Sequence, residues 1–294
     1  MAKKAILKRS DRLHTQIFIM TWITICVIFT MIPLFVTVIN AFKSNTEIQM
    51  SIFAFPQAKL LFKNIGHNFS MAWESISGAF ARSILVTVIG AICNCVLGSV
   101  LGYIFTYKKF HFKETIFMMF ISIMLLPSIM GMPILVPFMR NKLHLDNTYI
   151  GYLLPNLAGG QVSALFLFRT FFGQQPRSIY ESAQIEGASD FQIYAKLTVP
   201  LALPIILYHF VGSFSSLYND FLWPSLIFSD PNKKTLMPRM LALVEQFSGS
   251  NGLSQGDRGA MYAMYILSSI PLIFTSIISM KFFSSGDFAA GIKL

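Results

Sequence analysis

Six apolar runs, each close to the length of a bilayer crossing, constrain this chain more than any other feature of its sequence. They lie near 17–39, 83–107, 115–139, 149–172, 201–227 and 261–283 of the 294 residues. A helix needs roughly 20 consecutive apolar residues to cross the hydrocarbon core. Only 12% of the residues are charged, against about a quarter in ordinary soluble domains, so much of the surface does not face water. The expectation is an all-α membrane protein of six transmembrane helices, with a cytoplasmic tail over 1–16 and a single transmembrane domain over 17–294. The fifth run is the least regular, interrupted by Pro204 and then by Tyr218-Asn219-Asp220.

The net charge of +10 does not point to nucleic acid, because the basic residues sit in tails and loops between apolar runs and form no stripe. Lys3, Lys4, Lys8, Arg9 and Arg12 precede the first run. That run is longer than a signal-peptide core and no A-x-A site follows, so it reads as an uncleaved helix. By the positive-inside rule the N-terminus is cytoplasmic, and an even number of spans returns the C-terminus to the same side. The loops 107–113 (YKKFHFK) and 172–200 then lie inside, and the long segments 40–82 and 228–260 outside. Lys233, Lys234, Arg239 and Arg258 fall on the outer side, where long loops translocate largely regardless of charge. Cys93 and Cys95 form a lone C-x-C without a second ligand pair, which reads as packing and not as a metal site.

One polar stretch stands apart: ESAQIEGASDFQIYAKLTVP, from Glu181 to Pro200. Ser178 and Glu181 have capping-box spacing, as do Ser189 and Gln192. Ile179, Ala183 and Glu186 share a helical face, and Gly187 is placed to end the first helix in a left-handed turn. Phe191, Tyr194 and Leu197 or Thr198 follow at helical spacing, and Pro200 marks the next span. The spacing predicts a helix–glycine turn–helix, too polar to cross a membrane. It reads either as an interfacial connector or as a docking element for a partner groove.

These residues resemble the EAA loop of ABC importer permeases, whose pattern is EAA, three variable positions, G, nine variable positions, then I-x-L-P. Glu181, Ala183, Gly187 and Pro200 match it, with Ala188 following the glycine. Ser182 replaces an alanine, Glu186 stands where Asp is usual, and Leu197 and Val199 take the Ile and Leu places. Phe42-Lys43-Ser44, Leu154-Pro155-Asn156, Tyr218-Asn219-Asp220-Phe221-Leu222-Trp223-Pro224, Thr235-Leu236 and the tail Ala289-Ala290-Gly291-Ile292-Lys293-Leu294 extend the likeness. Together they resemble the smaller permease of maltose-type importers. The resemblance implies a type I importer permease fold in the cell membrane, with a coupling loop over 177–200. It implies partnership with a homologous second permease, two ATP-binding subunits and an extracytoplasmic sugar-binding protein. Glu181 and Gly187 become the leading contacts to the ATPase, although Glu181 could equally cap its own helix. Two rivals stay open: a permease of the same architecture for a non-sugar solute, and a membrane scaffold or receptor docking a cytoplasmic partner.

The chain has no G-x-x-x-x-G-K-[S/T], no H-E-x-x-H and no G-x-S-x-G. It is expected to bind no cofactor or metal and to perform no chemistry itself, with ATP and Mg used by the partner ATPase. Almost no ionisable residue stands mid-span, which argues against ion coupling. His209 is the exception, with Tyr208, Ser213, Ser215 and Ser216 nearby. It reads as lining a sugar path, which needs neutral hydrogen-bonding groups and aromatic faces, or as interhelical glue. Asn94, Asn156 and Asn219 are further pathway candidates, with Gln161 beside them. Gly98-Ser-Val-Leu-Gly102 is a G-x-x-x-G packing signal. Pro127, Pro133 and Pro137 predict a kinked or broken third span. Trp223 reads as an interfacial anchor or, with 228–260, as a contact for a binding protein.

Overall fold

The computed structural model describes residues 2–248 and 257–284, and every regular element among them is helical. In order they are α1 (Ala2–Ala41), α2 (Asn45–Met50), α3 (Leu61–Tyr107), α4 (Lys113–Met124), a 3-10 turn (Ser128–Gly131) and α5 (Met132–Pro137) with a π turn (Phe138–Lys142). There follow α6 (Tyr149–Gly173), α7 (Arg177–Ile185), α8 (Asp190–Ile193), a second π turn (Tyr194–Thr198) and α9 (Val199–Leu201). The last elements are α10 (Leu203–Tyr218), α11 (Leu222–Ile227), α12 (Leu236–Ser248) and α13 (Arg258–Ser284). The tail from Ala289 to Leu294 lies outside the described residues.

Four helices are long and apolar enough to cross a bilayer unbroken: Thr15–Ala41, Leu61–Tyr107, Tyr149–Gly173 and Arg258–Met280. Two bent pairs bring the number to six if each is one span: Lys113–Met124 with Ser128–Lys142, bent by 93°, and Asp190–Leu201 with Leu203–Tyr218, bent by 77°. The first break sits at Leu125-Leu126-Pro127, so the proline signal in the third run marks a true break. Pro127 has no N–H to continue the ladder. The fifth run is shorter than its apolar composition suggests: α10 ends at Tyr218, and α11 is a separate short helix.

Two segments read as long loops contain helices among the described residues. The segment 40–82 contains α2 and the first part of α3, whose 47 residues extend about 70 Å at 1.5 Å per residue, more than twice the hydrocarbon thickness. The segment 228–260 contains α12. Polar residues such as His67, Asn68 and Glu74 suppress the hydropathy of these stretches without breaking their helical pattern.

The chain divides into two compact units. The first comprises Met1–Ser75 and Leu243–Leu267. In it every side chain of α1 from Thr15 to Phe35 is exposed. The hydroxyls of Thr21, Thr24 and Thr37 donate to carbonyls four residues back, so this apolar face leaves none of these groups unpaired in lipid. Asn68 Nδ2 donates to the carbonyls of Ala41 (2.8 Å) and Lys43 (2.9 Å), satisfying acceptors that the end of α1 leaves open. Lys43 is fully buried, its Nζ donating at 3.1 Å to Asn40 Oδ1, Ser51 O and Ile52 O. Burial pushes its ammonium below the ordinary lysine range, and the Glu47 charge opposes that. Ser44 and Glu47 close a capping box on α2.

The second unit comprises Ile76–Ala242 and Ser268–Leu294. Its centre is the crossing of α3 and α6. A Cβ on Gly98 would lie 2.4 Å from Ala164 Cβ, and one on Gly102 2.4 Å from Phe168 Cβ. No side chain fits at either position, so the G-x-x-x-G stripe sets how closely these helices approach. Cys95 is buried and Cys93 half-buried, both as free thiols. One core cluster gathers Tyr103, Ala164, Phe168, Phe172, Tyr180, Ile193, Ala202 and Ile205. A second gathers Val86, Met139, Tyr152, Leu217, Trp223, Ile227 and Phe228. Trp223 therefore belongs to the core and is no interfacial anchor: it is 4% exposed, and its Nε1 donates to Tyr152 O at 3.1 Å. A buried indole needs such an acceptor, and α11 turns the ring inward to reach it.

Candidate functional site

The stretch from Arg177 to Leu201 folds as the expected hairpin, with one difference at its start. α7 begins at Arg177 with Pro176 as its N-cap (φ −60°, ψ 120°) and no side-chain cap. Ser178 is already inside the helix, so the Ser178–Glu181 capping box does not form. The proline fixes the backbone at the helix boundary two residues earlier than that spacing implied.

The end of α7 is a full Schellman closure. Gly187 N donates to Gln184 O and Ala188 N to Ala183 O, both at 3.0 Å. Gly187 has φ +81°, a left-handed conformation that costs an L side chain energy and glycine nothing. The second capping box does form: Ser189 N donates to Gln192 Oε1 (2.8 Å) and Gln192 N to Ser189 Oγ (3.3 Å).

The hairpin is anchored on one face and bare on the other. Tyr180 and Ile193 are buried in the first core cluster. Tyr180 stacks on Tyr107 with centroids 4.1 Å apart, Tyr194 OH shares a 2.7 Å hydrogen bond with Ser99 Oγ, and Asp190 pairs with Lys108. Glu181, Glu186 and Gly187 are exposed, while Ala183 and Ala188 are half-buried. Ile185 and Phe191 stand 87% and 77% exposed. Phe191 is therefore on the bare face of the hairpin, and Ile193 is on the anchored one. Two large apolar side chains flanking a glycine turn form a surface suited to burial in a groove.

Pro200 acts further on. It has no N–H to donate, and the helix shifts register just before it: Val199 N donates to Tyr194 O, five residues back. Such π turns concentrate at functional positions. The helix runs through Pro200 to Leu201 and then bends at Ala202, so the hairpin leads into α10 through the 77° bend.

Deeper in the same unit, a cavity of about 490 Å³ is lined by Asn94 of α3, Ser128, Asn156, Gly159, Gly160 and Ser163 of α6, and Tyr208, His209, Gly212, Ser213 and Ser216 of α10, among others. Of the pathway candidates, Asn94, Asn156, His209, Ser213 and Ser216 thus share one cavity, and Gln161 is not on its lining. Asn219 is not on its lining; this residue caps α10, and its Nδ2 donates to Ser215 O (2.9 Å). Asn94 Oδ1 also accepts from Gln161 Nε2 (3.0 Å). Asn156 Nδ2 donates to Tyr152 O (2.9 Å), and His209 Nε2 lies 3.4 Å from Ser213 Oγ. The wall carries amide, hydroxyl and imidazole groups and no carboxylate, ammonium or guanidinium. Sequence reasoning missed Gly159, Gly160, Gly212 and Ser163. A Cβ on Gly159 or Gly212 would meet nothing within 4 Å, so these glycines leave room where a side chain would intrude. Small residues facing one another on α6 and α10 were the available signal. Among the described residues no group of three His, Cys, Asp or Glu side chains is placed to hold a metal.

Residues 94–286 match the family described as "Binding-protein-dependent transport system inner membrane component". The chain is 29% identical over 178 residues to the "Probable ABC transporter permease protein" of Pyrococcus horikoshii, covering 60% of this chain and 64% of that protein. It is 26% identical over 250 residues to the diacetylchitobiose uptake system permease protein of Streptomyces coelicolor, covering 84% of this chain and 78% of that one. In three dimensions it superposes on a chain of a bacterial ABC transporter involved in import of the acidic polysaccharide alginate. That match has a TM-score of 0.77 at 20% identity and covers 94% of this chain and 98% of the other.

Proposed function

Because the chain belongs to the binding-protein-dependent transport system inner membrane component family, we propose that it is the permease subunit of an ATP-driven importer for a sugar or oligosaccharide. It forms half of a translocation pathway, with a homologous second permease completing the other half. Two ATP-binding subunits grip the hairpin of each permease through Ile185, Phe191 and the Gly187 turn, with Glu181 and Glu186 offering charge to basic partner residues. ATP and Mg act on those subunits, and this chain binds neither. An extracytoplasmic binding protein delivers the sugar. The N- and C-termini and the hairpin lie in the cytoplasm, as the basic residues before the first span favour.

The cavity is the observation that carries the sugar reading. Its neutral amide, hydroxyl and aromatic groups suit hydroxyl-rich solutes and offer no countercharge to an anion or cation. The name of the Streptomyces relative supports the same substrate class. Closure of the ATP-binding subunits would carry the docked hairpin, and the bent helix behind it, from an inward-open to an outward-open arrangement. The ligand acts through its differential contacts in those two states.

The test is uptake. The ligand that co-purifies with the cognate binding protein is labelled, and its accumulation is measured with and without this chain. Binding-protein-dependent accumulation is expected to disappear without it. Undiminished accumulation overturns the permease reading, and a co-purifying ligand without hydroxyl-rich character overturns the sugar class alone.

A further inference from the structure

A second cavity, of about 370 Å³, opens between the segment after α3 and the hairpin. Lys108, Lys109, Lys113 and Arg177 line it against a single carboxylate, Glu181. Of these cations only Lys108 has a carboxylate partner, Asp190. Lys113 Nζ donates to two carbonyls, Thr106 O at 3.2 Å and Lys108 O at 3.0 Å. Among the described residues neither Lys109 nor Arg177 forms an ion pair, and both side chains are exposed to the cavity's solvent.

A second observation is independent of the charge count. Lys113 and Arg177 are the first residues of two different helices, α4 and α7, and neither helix has a side-chain cap. The start of a helix carries the positive end of its dipole, where acidic residues stabilise and basic ones oppose. α4 meets the preference with Glu114 in its first turn, whereas α7 has no acidic residue there and starts on Arg177, on the wall of the cavity. Around Lys113, Arg169 and Arg177 repel its ammonium and Glu114 attracts it. Arg177 at the start of α7 has no such compensation in its own turn, and a local rule broken in this way marks a candidate functional position.

We propose that this cavity binds a phosphate group, carried by an anionic phospholipid headgroup or by a small soluble phosphate ester. Guanidinium and ammonium groups converging from separate elements are suited to phosphate oxygens, and the volume is within the range of small-molecule sites. Bound there, the phosphate ties α7 to the segment 108–113 and fixes the hairpin where it leaves the bundle. The inference goes beyond the import reading, and its readout is binding, so it can fail while import stands.

The experiment uses the assembled transporter in nanodiscs. In one arm the discs contain phosphatidylglycerol and phosphatidylcholine, and lipid retained through delipidation is counted by native mass spectrometry. In the other arm, pure phosphatidylcholine discs are titrated with glucose 6-phosphate and with inorganic phosphate. The wild type is compared with Lys109→Gln and Arg177→Gln, exposed positions whose loss leaves the fold's packing intact, and with Lys63→Gln, which does not line the cavity, as a control. Retained phosphatidylglycerol that falls in the two cavity variants identifies a lipid source. Saturable binding in the second arm with the same sensitivity identifies a soluble source. Each variant is expected to weaken binding about tenfold, the loss of one charge-assisted hydrogen bond. No phosphate binding in either arm overturns the proposal, as it would if an acidic side chain of the ATPase fills the cavity. Equal sensitivity in the Lys63→Gln control also overturns it.

Discussion

Gly187→Val tests whether the shape of the turn, and not its mere presence, transmits force. The position has φ +81° and open space around the missing Cβ, with nothing within 4 Å. A steric penalty inside the fold is therefore absent, and the cost is conformational. An L residue held left-handed loses about 1–2 kcal/mol, with a β-branched side chain at the upper end. If the turn escapes that strain, it gives up the two Schellman hydrogen bonds at Gly187 and Ala188, each worth about 1 kcal/mol net. Either route costs about 2 kcal/mol, a factor of about 30 between the native turn and a displaced one. That is well below a typical global stability of about 5–15 kcal/mol, so the protein should insert normally. With the hairpin displaced, ATP hydrolysis and uptake should separate: uptake in proteoliposomes falls at least about tenfold while the variant is recovered from membranes at wild-type levels. Gly187→Asn is the internal control, because asparagine tolerates the left-handed region, and it should retain most uptake. Normal uptake and normal ATPase association in Gly187→Val would refute the docking role. Equal failure of the Asn and Val variants would refute the conformational reasoning and point to a partner that contacts the bare glycine.

Two further perturbations probe the bundle. Gly102→Val would place its Cβ 2.4 Å from Phe168 Cβ and 3.2 Å from the Arg169 backbone nitrogen, so α3 and α6 must move apart at a cost of about 1–3 kcal/mol; thermal unfolding of the purified protein should show a lowered midpoint, and an unchanged one would mean that the crossing is looser than the structure indicates. Gly212→Leu meets no neighbour at its Cβ and gains about 0.8–1 kcal/mol of helix propensity, so stability should hold or rise while sugar uptake falls; unimpaired uptake would take the 490 Å³ cavity off the translocation path.

What could be read from the sequence divides by physical cause. The apolar runs, the glycine turn, the Ser189 capping box and the G-x-x-x-G crossing rest on local rules of length, backbone conformation and side-chain size, and each is found in the structure. The errors fall where tertiary packing outweighs a local signal. The Ser178–Glu181 spacing satisfied the capping pattern, yet Pro176 started the helix first. Trp223 had the composition of an interfacial anchor, but Tyr152 supplied an acceptor inside the core. The length of α3 was hidden because hydropathy reports where lipid is and is silent on where a helix continues into water. The cavity was half legible for the same reason: the polar candidates on α3, α6 and α10 stand out against an apolar background, while Gly159, Gly160 and Gly212 contribute by having no side chain. Both ends of the mechanism depend on such omissions. At Gly187 a side chain would strain the turn, and at Gly212 it would occupy the cavity. The two substitutions therefore predict opposite patterns in one assembled transporter: Gly187→Val leaves the cavity open and separates hydrolysis from uptake, whereas Gly212→Leu leaves the hairpin docked and obstructs the solute. Hydrolysis still stimulated by the loaded binding protein in Gly212→Leu, with that stimulation lost in Gly187→Val, is the expected pair of results. The same response in both variants would mean that hairpin and cavity do not act as separate parts.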